Sequence, residues 1–286
     1  MARLDTLFIR AVCSGGVRAQ DVRGELRRLG VRASRGLGQH FLVDERVARR
    51  QVDRALIRSD ETVLEIGPGL GILTRILAIR AKRVIAIEKD RRLADALQGI
   101  GDRIEVLRGD ALRVEWPEFD VMVSNLPYRI SSPITFALLE HPFDRAVLMF
   151  QREFAERLVA RPGTKAYSRL TVNAAHRAAG EILERVPRSA FQPQPRVDSA
   201  VVRLVRRTPG YNVADEGTFH AVVDACFVHR RKTIGNALGL EWRRFAPERA
   251  SWRESLRSLP FLDQRAETLA PEEFATLANA VTRAKG

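Results

Sequence analysis

The chain is short of the residues that build metal centres and cross-links. Only two of its 286 residues are cysteines, Cys13 and Cys226, and their spacing suits neither zinc nor a redox pair. A reduced compartment and no metal are therefore expected. Long apolar runs are also missing. Nothing approaches the roughly 20 uninterrupted apolar residues of a membrane-spanning helix, and the first residues lack a secretory apolar region with a small-residue cleavage site. The expected address is the cytoplasm. Acidic side chains are the minority, 35 against 48 basic ones, for a net charge of +13. Such a surface attracts polyanions, which leaves RNA, DNA or an anionic membrane as partners. Lysine appears only at positions 82, 89, 165, 232 and 285. The preference for arginine can follow from genomic base composition, so the argument rests on net charge.

What is present reads as one full-sized domain and a smaller one, with no internal repeat and no low-complexity segment. Residues 1 to about 33 form a basic, partly ordered lead-in, including Gly15-Gly16 and a short charged helix over Asp21–Leu29. Val43, Val47, Val52 and Leu56 recur at helical spacing behind Asp44, a plausible N-cap. Thr62–Ile66 reads as a buried strand, Leu70–Ala81 as a helix and Val84–Ile87 as the next strand, which makes a βαβ unit. Strands are expected at Ile104–Leu107, Val121–Ser124, Ala146–Phe150, Glu181–Val186 and Ser199–Val205. This alternation predicts an α/β fold with a mostly parallel sheet covered on both faces. Beyond Thr208-Pro209-Gly210 only helical stretches remain, near Thr218–Phe227, Arg231–Leu238, Ser251–Ser258 and Pro271–Arg283.

Between the first strand and its helix lies Glu65-Ile66-Gly67-Pro68-Gly69-Leu70-Gly71. Glycines there let the backbone turn tightly against a ligand. Glu88, 21 residues beyond Gly67, ends the next strand, where a carboxylate can accept both hydroxyl hydrogens of an adenosine ribose. NAD enzymes and methyltransferases share this device, and a plain strand-turn-helix with a surface acid would look similar. Asp110, with Ala111 after it, follows the third strand. It can accept from an adenine amine while neighbouring backbone amides read the ring, or it can simply cap a helix.

Asn125-Leu126-Pro127-Tyr128 directly follows Val121–Ser124, at the carboxyl edge of the sheet. A purine amine is a poor nucleophile because its lone pair is delocalised into the ring. The Asn125 amide oxygen and the Leu126 carbonyl can accept its two hydrogens and favour a pyramidal nitrogen aimed at a methyl group. Pro127 fixes φ and holds that carbonyl, and Tyr128 offers a ring on which a base can stack. Catalysis would then come from orientation, with no general base required beforehand. The bland alternative is a turn.

Five ordered segments carry a resemblance: Gly38-Gln39-His40-Phe41-Leu42, the glycine turn, Asn125–Tyr128, Phe191-Gln192-Pro193-Gln194-Pro195-Arg196-Val197-Asp198-Ser199, and Arg230-Arg231-Lys232-Thr233-Ile234-Gly235-Asn236. Over about residues 33–280 the chain resembles the KsgA group of small-subunit ribosomal RNA adenine dimethyltransferases, most of all its archaeal branch. The resemblance implies a Rossmann-like methyltransferase sheet with a reversed final strand over residues 34–208, and a small all-helical, RNA-contacting domain over 209–286. The implied cofactor is S-adenosylmethionine. Gln39, His40 and Leu42 would contact it, Gly67 its methionine part, Glu88 the ribose, Asp110 the adenine, and Asn125 both cofactor and target, with Gly69 and Ala111 also in the cofactor site. Position 40 is asparagine in many bacterial members. Phe191 would clamp the target base against Tyr128, or else serve as a core aromatic anchoring its loop. Arg230, Arg231 and Lys232 would meet phosphate, or else form a solvated helix end. The implied activity places two methyl groups on N6 of each of two adjacent adenines in the 3′-terminal hairpin of small-subunit ribosomal RNA, with a role in ribosome biogenesis. The partner would be a pre-assembled small subunit, and the protein a monomer without membrane attachment.

Three rivals share parts of this pattern. They are an Erm-type enzyme acting on large-subunit RNA, an assembly or transcription factor that keeps the fold as a scaffold, and an NAD-linked dehydrogenase. The charge generates a first prediction. RNA affinity should fall at least tenfold between about 50 and 200 mM salt; filter binding at several salt concentrations would show it, and a flat response would refute electrostatic positioning.

Overall fold

The computed structural model describes residues 19–31 and 39–285. Cys13, Gly15-Gly16, Gly38 and most of the basic lead-in lie outside them. The chain divides into two compact units, Met1–Ala155 with Gly180–Arg206, and Glu156–Ala179 with Arg207–Gly286.

In chain order, the described elements begin with α1 (Ala19–Arg28), β1 (Phe41–Leu42), α2 (Glu45–Arg54), β2 (Thr62–Ile66), α3 (Ile72–Arg80), β3 (Arg83–Glu88), α4 (Arg91–Leu97) and β4 (Ile104–Arg108). Then come β5 (Val121–Asn125), a 3₁₀ turn at Tyr128–Ile130, α5 (Ser131–Glu140), β6 (Arg145–Gln151), α6 (Arg152–Leu158), α7 (Arg169–Arg177), β7 (Ala178–Val186), β8 (Phe191–Gln192) and β9 (Ser199–Arg206). Helices α8 (Glu216–Val228), α9 (Ile234–Leu240), α10 (Arg249–Leu256) and α11 (Pro271–Lys285) follow.

A seven-stranded sheet runs β4-β3-β2-β5-β6-β9-β7. Its β2–β3, β3–β4, β2–β5 and β5–β6 pairs are parallel. Strand β9 is antiparallel to β6, from Arg145↔Val205 to Gln151↔Ser199. The expected α/β class and reversed last strand are thus present. The inner strands read as near-continuous apolar runs because both faces are covered: Val63, Leu64, Val121, Met122, Val123, Ala146, Val147 and Leu148 are all fully buried. Asp44 caps α2 by accepting from the N–H groups of Arg46 and Val47. The lead-in is more than a tether, because Val22 and Leu26 on α1 and Leu29 just beyond it, spaced i, i+4 and i+7, pack into the same core.

The second unit has its own core around Phe219, Val223, Trp252, Phe274 and Leu277. Trp252 donates its indole N–H to the Leu238 carbonyl at 2.9 Å. Tyr167 is buried there and donates to the Leu269 carbonyl at 2.7 Å, which explains why Glu156–Ala179 belongs with the later helices. A single cut near Thr208 therefore does not describe the division. Cys226 lies in this core, where burial pushes its thiol up to about 12; the thiol stays protonated and inert. Helix α9 begins at Ile234 and not at Arg231, because Thr233 at its N-cap is extended.

One ion pair stands out below the sheet. Arg145 donates through both terminal nitrogens to Glu61 at 2.8 and 2.6 Å, and to the carbonyls of Ala55 and Leu56. Burial alone would raise the Glu61 carboxyl, but Arg145 and the Arg58 N–H hold it below its ordinary 4.5. Arg145→Met should cost about 3 kcal/mol in urea unfolding, because it strips the main partner from a buried charge. The folded carboxyl titrates below the unfolded one, so this contribution is complete above pH 4.5 and disappears as pH falls. Wild type and variant should converge in acid, and a constant difference would contradict the assignment.

Candidate active site

The cleft opens where two neighbouring strands part. Strands β2 and β3 pair over five positions, but β2 and β5 only over Val63↔Val121 and Leu64↔Met122. Beyond that register the Ile66 N–H donates to the Ser124 hydroxyl at 2.8 Å. Gln51, buried on α2, donates to the carbonyls of Ser124 and Val147, each at 3.1 Å. The Ile66 N–H and the Ser124 carbonyl, which lie beyond the last β2–β5 pair, thus take side-chain partners. The chain leaves β2 toward β3 on one side and returns through β5 on the other, so the opening is a topological switch point.

The glycine turn fills this mouth. Gly67, Gly69 and Gly71 have φ of 70°, 58° and 76°, the left-handed region that other residues enter only at a cost. A Cβ on Gly69 would lie 3.0 Å from the Phe41 ring. The Gly67 N–H donates to the Ile87 carbonyl at 2.9 Å, tying the turn to β3.

Two acids face the cavity. Glu88 accepts from the N–H groups of Gly69 at 3.2 Å and Asp90 at 2.9 Å, and burial raises its carboxyl against those bonds. Glu65 lines the same cavity and is buried. An acid-lined cradle that admits close backbone approach fits a ligand carrying a ribose diol and cationic groups.

Opposite stands Asn125–Tyr128, all four residues lining the cavity together with Gln39, His40 and Leu42. Asn125 is half-buried and Leu126 fully buried. The Tyr128 hydroxyl is 2.6 Å from Ser199 Oγ, and burial raises its phenol so that it stays neutral. The His40 ring lies 5.4 Å from that of Tyr128, tilted by 31°. His40 Nδ1 lies 2.7 Å from the Pro193 carbonyl. A carbonyl can only accept, so Nδ1 carries the proton. Strands β1 and β8 bring these distant segments together, pairing Phe41 with Gln192 and Leu42 with Phe191.

Other expected residues lie elsewhere. Phe191 is 1% exposed within the core, so it anchors its loop and does not offer a face to a base; its pairing with Leu42 is the reason. Asp110 and Ala111 lie beyond the cavity lining. Asp110 follows β4, pairs with Lys89 at 2.8 Å and accepts from the Leu112 N–H, and Lys89 holds its carboxyl below the ordinary range. Ala111 borders a separate groove with Leu112, Trp116, Ala137 and His141. In the second unit, Arg230 is committed to Glu267 at 3.0 Å and to the Thr164 carbonyl, whereas Arg231 and Lys232 are exposed. Sequence reasoning gave no role to Glu65, Phe41, Pro193 or Ser199, although all four lie inside the motifs it singled out. The signal was position within a motif, which does not say what a side chain touches.

Among the described residues no group of three or more His, Cys, Asp or Glu side chains could hold a metal ion, and no helix is long and apolar enough to cross a membrane. Residues 30–254 match the family model described as ribosomal RNA adenine dimethylase. A Methanopyrus kandleri protein named probable ribosomal RNA small subunit methyltransferase A is 47% identical over 266 residues, covering 91% of this chain and 96% of that one. The crystal structure of a dimethyladenosine transferase from Plasmodium falciparum is similar with a TM-score of 0.74 and 31% identity, covering 86% of this chain and 98% of that chain. The 23S rRNA methyltransferase ErmE gives 0.64 and 34%, covering 85% and 99%.

Gly69→Ala tests the cradle directly. A left-handed alanine costs about 1–2 kcal/mol and its methyl would press on Phe41. Affinity for S-adenosylmethionine should drop about tenfold by calorimetry, and unchanged affinity would remove the turn from the binding site.

Proposed function

Since the chain belongs to the ribosomal RNA adenine dimethylase family, we propose that this cleft is where S-adenosylmethionine and an adenine of small-subunit ribosomal RNA meet. The enzyme is a methyltransferase acting on adenine of ribosomal RNA, and the family implies S-adenosylmethionine as methyl donor. One observation carries the residue-level reading: Asn125, Leu126, Pro127 and Tyr128 line the same cavity as Gly67, Gly69 and Glu88.

When bound, S-adenosylmethionine supplies a methyl group on a sulfonium, an electrophile that needs no metal. The chain's own residues do the rest. Glu88 accepts the ribose hydroxyls, with Gln39, His40 and Leu42 closing over the cofactor. Asp110 and Ala111, which follow β4 two and three residues beyond Arg108, the register partner of Glu88, read the adenine at the edge of the cleft. Asn125 Oδ1 and the Leu126 carbonyl accept the two hydrogens of the target amine, which localises its lone pair. Pro127, at φ −55°, fixes that carbonyl, and the Tyr128 ring stacks on the base, steadied by its bond to Ser199. After one transfer a single N–H remains, and one acceptor still suffices to orient it.

The target base must leave its stack or lie in a loop to reach this pocket. Arg231 and Lys232 supply phosphate contact, with Arg230 shaping the turn that presents them. The small subunit is favoured because relatives at 44–49% identity bear that name, and a cytoplasmic monomer active in ribosome biogenesis fits the same reading. The likeness to ErmE makes large-subunit RNA the alternative.

Incubation with tritiated cofactor and each purified, undermethylated ribosomal subunit decides between them. Label is expected at two adjacent adenines of the small subunit, and label confined to the large subunit would overturn the assignment. Asn125→Ala should lower kcat by about 10²-fold or more through lost orientation, with a much smaller effect on cofactor affinity. Full activity in that variant would refute the mechanism.

A further inference from the structure

Glu65 stands two residues before Gly67, where the positive-φ turn begins, lines the cleft, and is 1% exposed. Its Oε2 has no hydrogen-bond partner. Glu88 is differently placed, with both oxygens accepting from backbone N–H groups. The groups that face Glu65 are Thr74 and Arg75 from α3 and Glu88 from β3. Burial pushes its carboxyl up to about 8, the negative charge of Glu88 adds to the rise, and Arg75 opposes it. At pH 7 such a group is protonated in roughly nine molecules of ten.

We infer that Glu65 waits in the empty cleft as a neutral acid and ionises when cofactor arrives, its carboxylate becoming the counter-ion of the cofactor's α-ammonium, so that binding expels one proton. This rests on the reading of the cleft as an S-adenosylmethionine site. The argument is one of charge and position. The cofactor brings two cations, sulfonium and ammonium, against one carboxylate. A cation entering a closed, water-poor space favours the ionised form of a nearby acid. Glu88 belongs to the ribose side on β3, whereas Glu65 lies at the end of β2, beside the glycine turn assigned to the methionine part. The only bond that changes is the O–H bond of Glu65, which breaks: its electron pair stays on the carboxylate beside the ammonium, and the proton goes to solvent water or buffer. Without cofactor, the proton prevents two adjacent buried negative charges.

The test is calorimetry of the full-length protein with S-adenosylmethionine at pH 7, in buffers of different ionisation enthalpy. Close to one proton released per cofactor is expected. Glu65→Gln, which keeps the shape and removes the titration, should abolish the buffer dependence and weaken binding at least tenfold. S-adenosylhomocysteine keeps the ammonium and lacks the sulfonium, so it should expel a proton equally well. If the variant fails to fold, wild-type affinity rising several-fold from pH 6 to pH 7 is the independent requirement. Binding without proton release, release unchanged in Glu65→Gln, or release with S-adenosylmethionine alone would each overturn the inference and leave the cofactor site standing. Failure of the wild type to bind either compound would instead overturn the cofactor reading together with this inference.

Discussion

The site depends on the parting of β2 from β5. A parallel sheet keeps its strands together by satisfying every backbone N–H and C=O across the ladder, so a gap leaves polar groups that need other partners. Here Ser124 receives the Ile66 N–H and Gln51 serves the carbonyls of Ser124 and Val147. The Ser124 hydroxyl and Gln51 give the Ile66 N–H and the Ser124 carbonyl partners where the β2–β5 ladder has ended. The proposed site is arranged around that opening: the glycine turn on one strand end, Asn125–Tyr128 on the other, and Glu88 on the adjacent strand.

The two cleft acids show how one residue type takes different roles. Glu88 is held by two backbone N–H groups that oppose the effect of its burial, while Glu65 is enclosed with one oxygen unpartnered, and burial pushes its carboxyl up to about 8. The aromatic wall is built by a comparable division. Tyr128 is fixed through its hydroxyl to Ser199, and His40 through Nδ1 to Pro193. Both anchors come from the segment after β7, so that Pro-rich loop serves as scaffolding for rings it does not itself supply. Phe191 takes part in this from below, buried where it holds the loop to β1.

Outside the cleft, the net charge of +13 does not distribute itself as free cations. Many arginines are engaged in ion pairs or carbonyl contacts: Arg145 supports the base of the sheet, and Arg230 braces a turn of the helical unit. Arg231 and Lys232 are exposed. A basic run is thus partly architecture and partly exposed charge, and only the contacts separate the two.

The sequence by itself determined the parallel strands, the caps and the glycine turn, because those follow from local rules: apolar runs of strand length, Asp44 ahead of a helix, and glycines where φ is positive. It also determined the chemistry of Asn125–Tyr128, since amide oxygen, carbonyl and ring are properties of the residues themselves. Tertiary structure decided what lies too far apart in the chain for any local pattern to reveal. The two-residue pairing of β1 with β8 is too short to leave a periodicity and joins segments some 150 residues apart. It brings His40 to the Pro193 carbonyl and buries Phe191. Burial likewise raised the carboxyl of Glu65 and decided the membership of Tyr167 in the helical unit. Solvent exclusion and hydrogen-bond satisfaction depend on everything that packs around a residue, and neighbours in sequence supply only part of that.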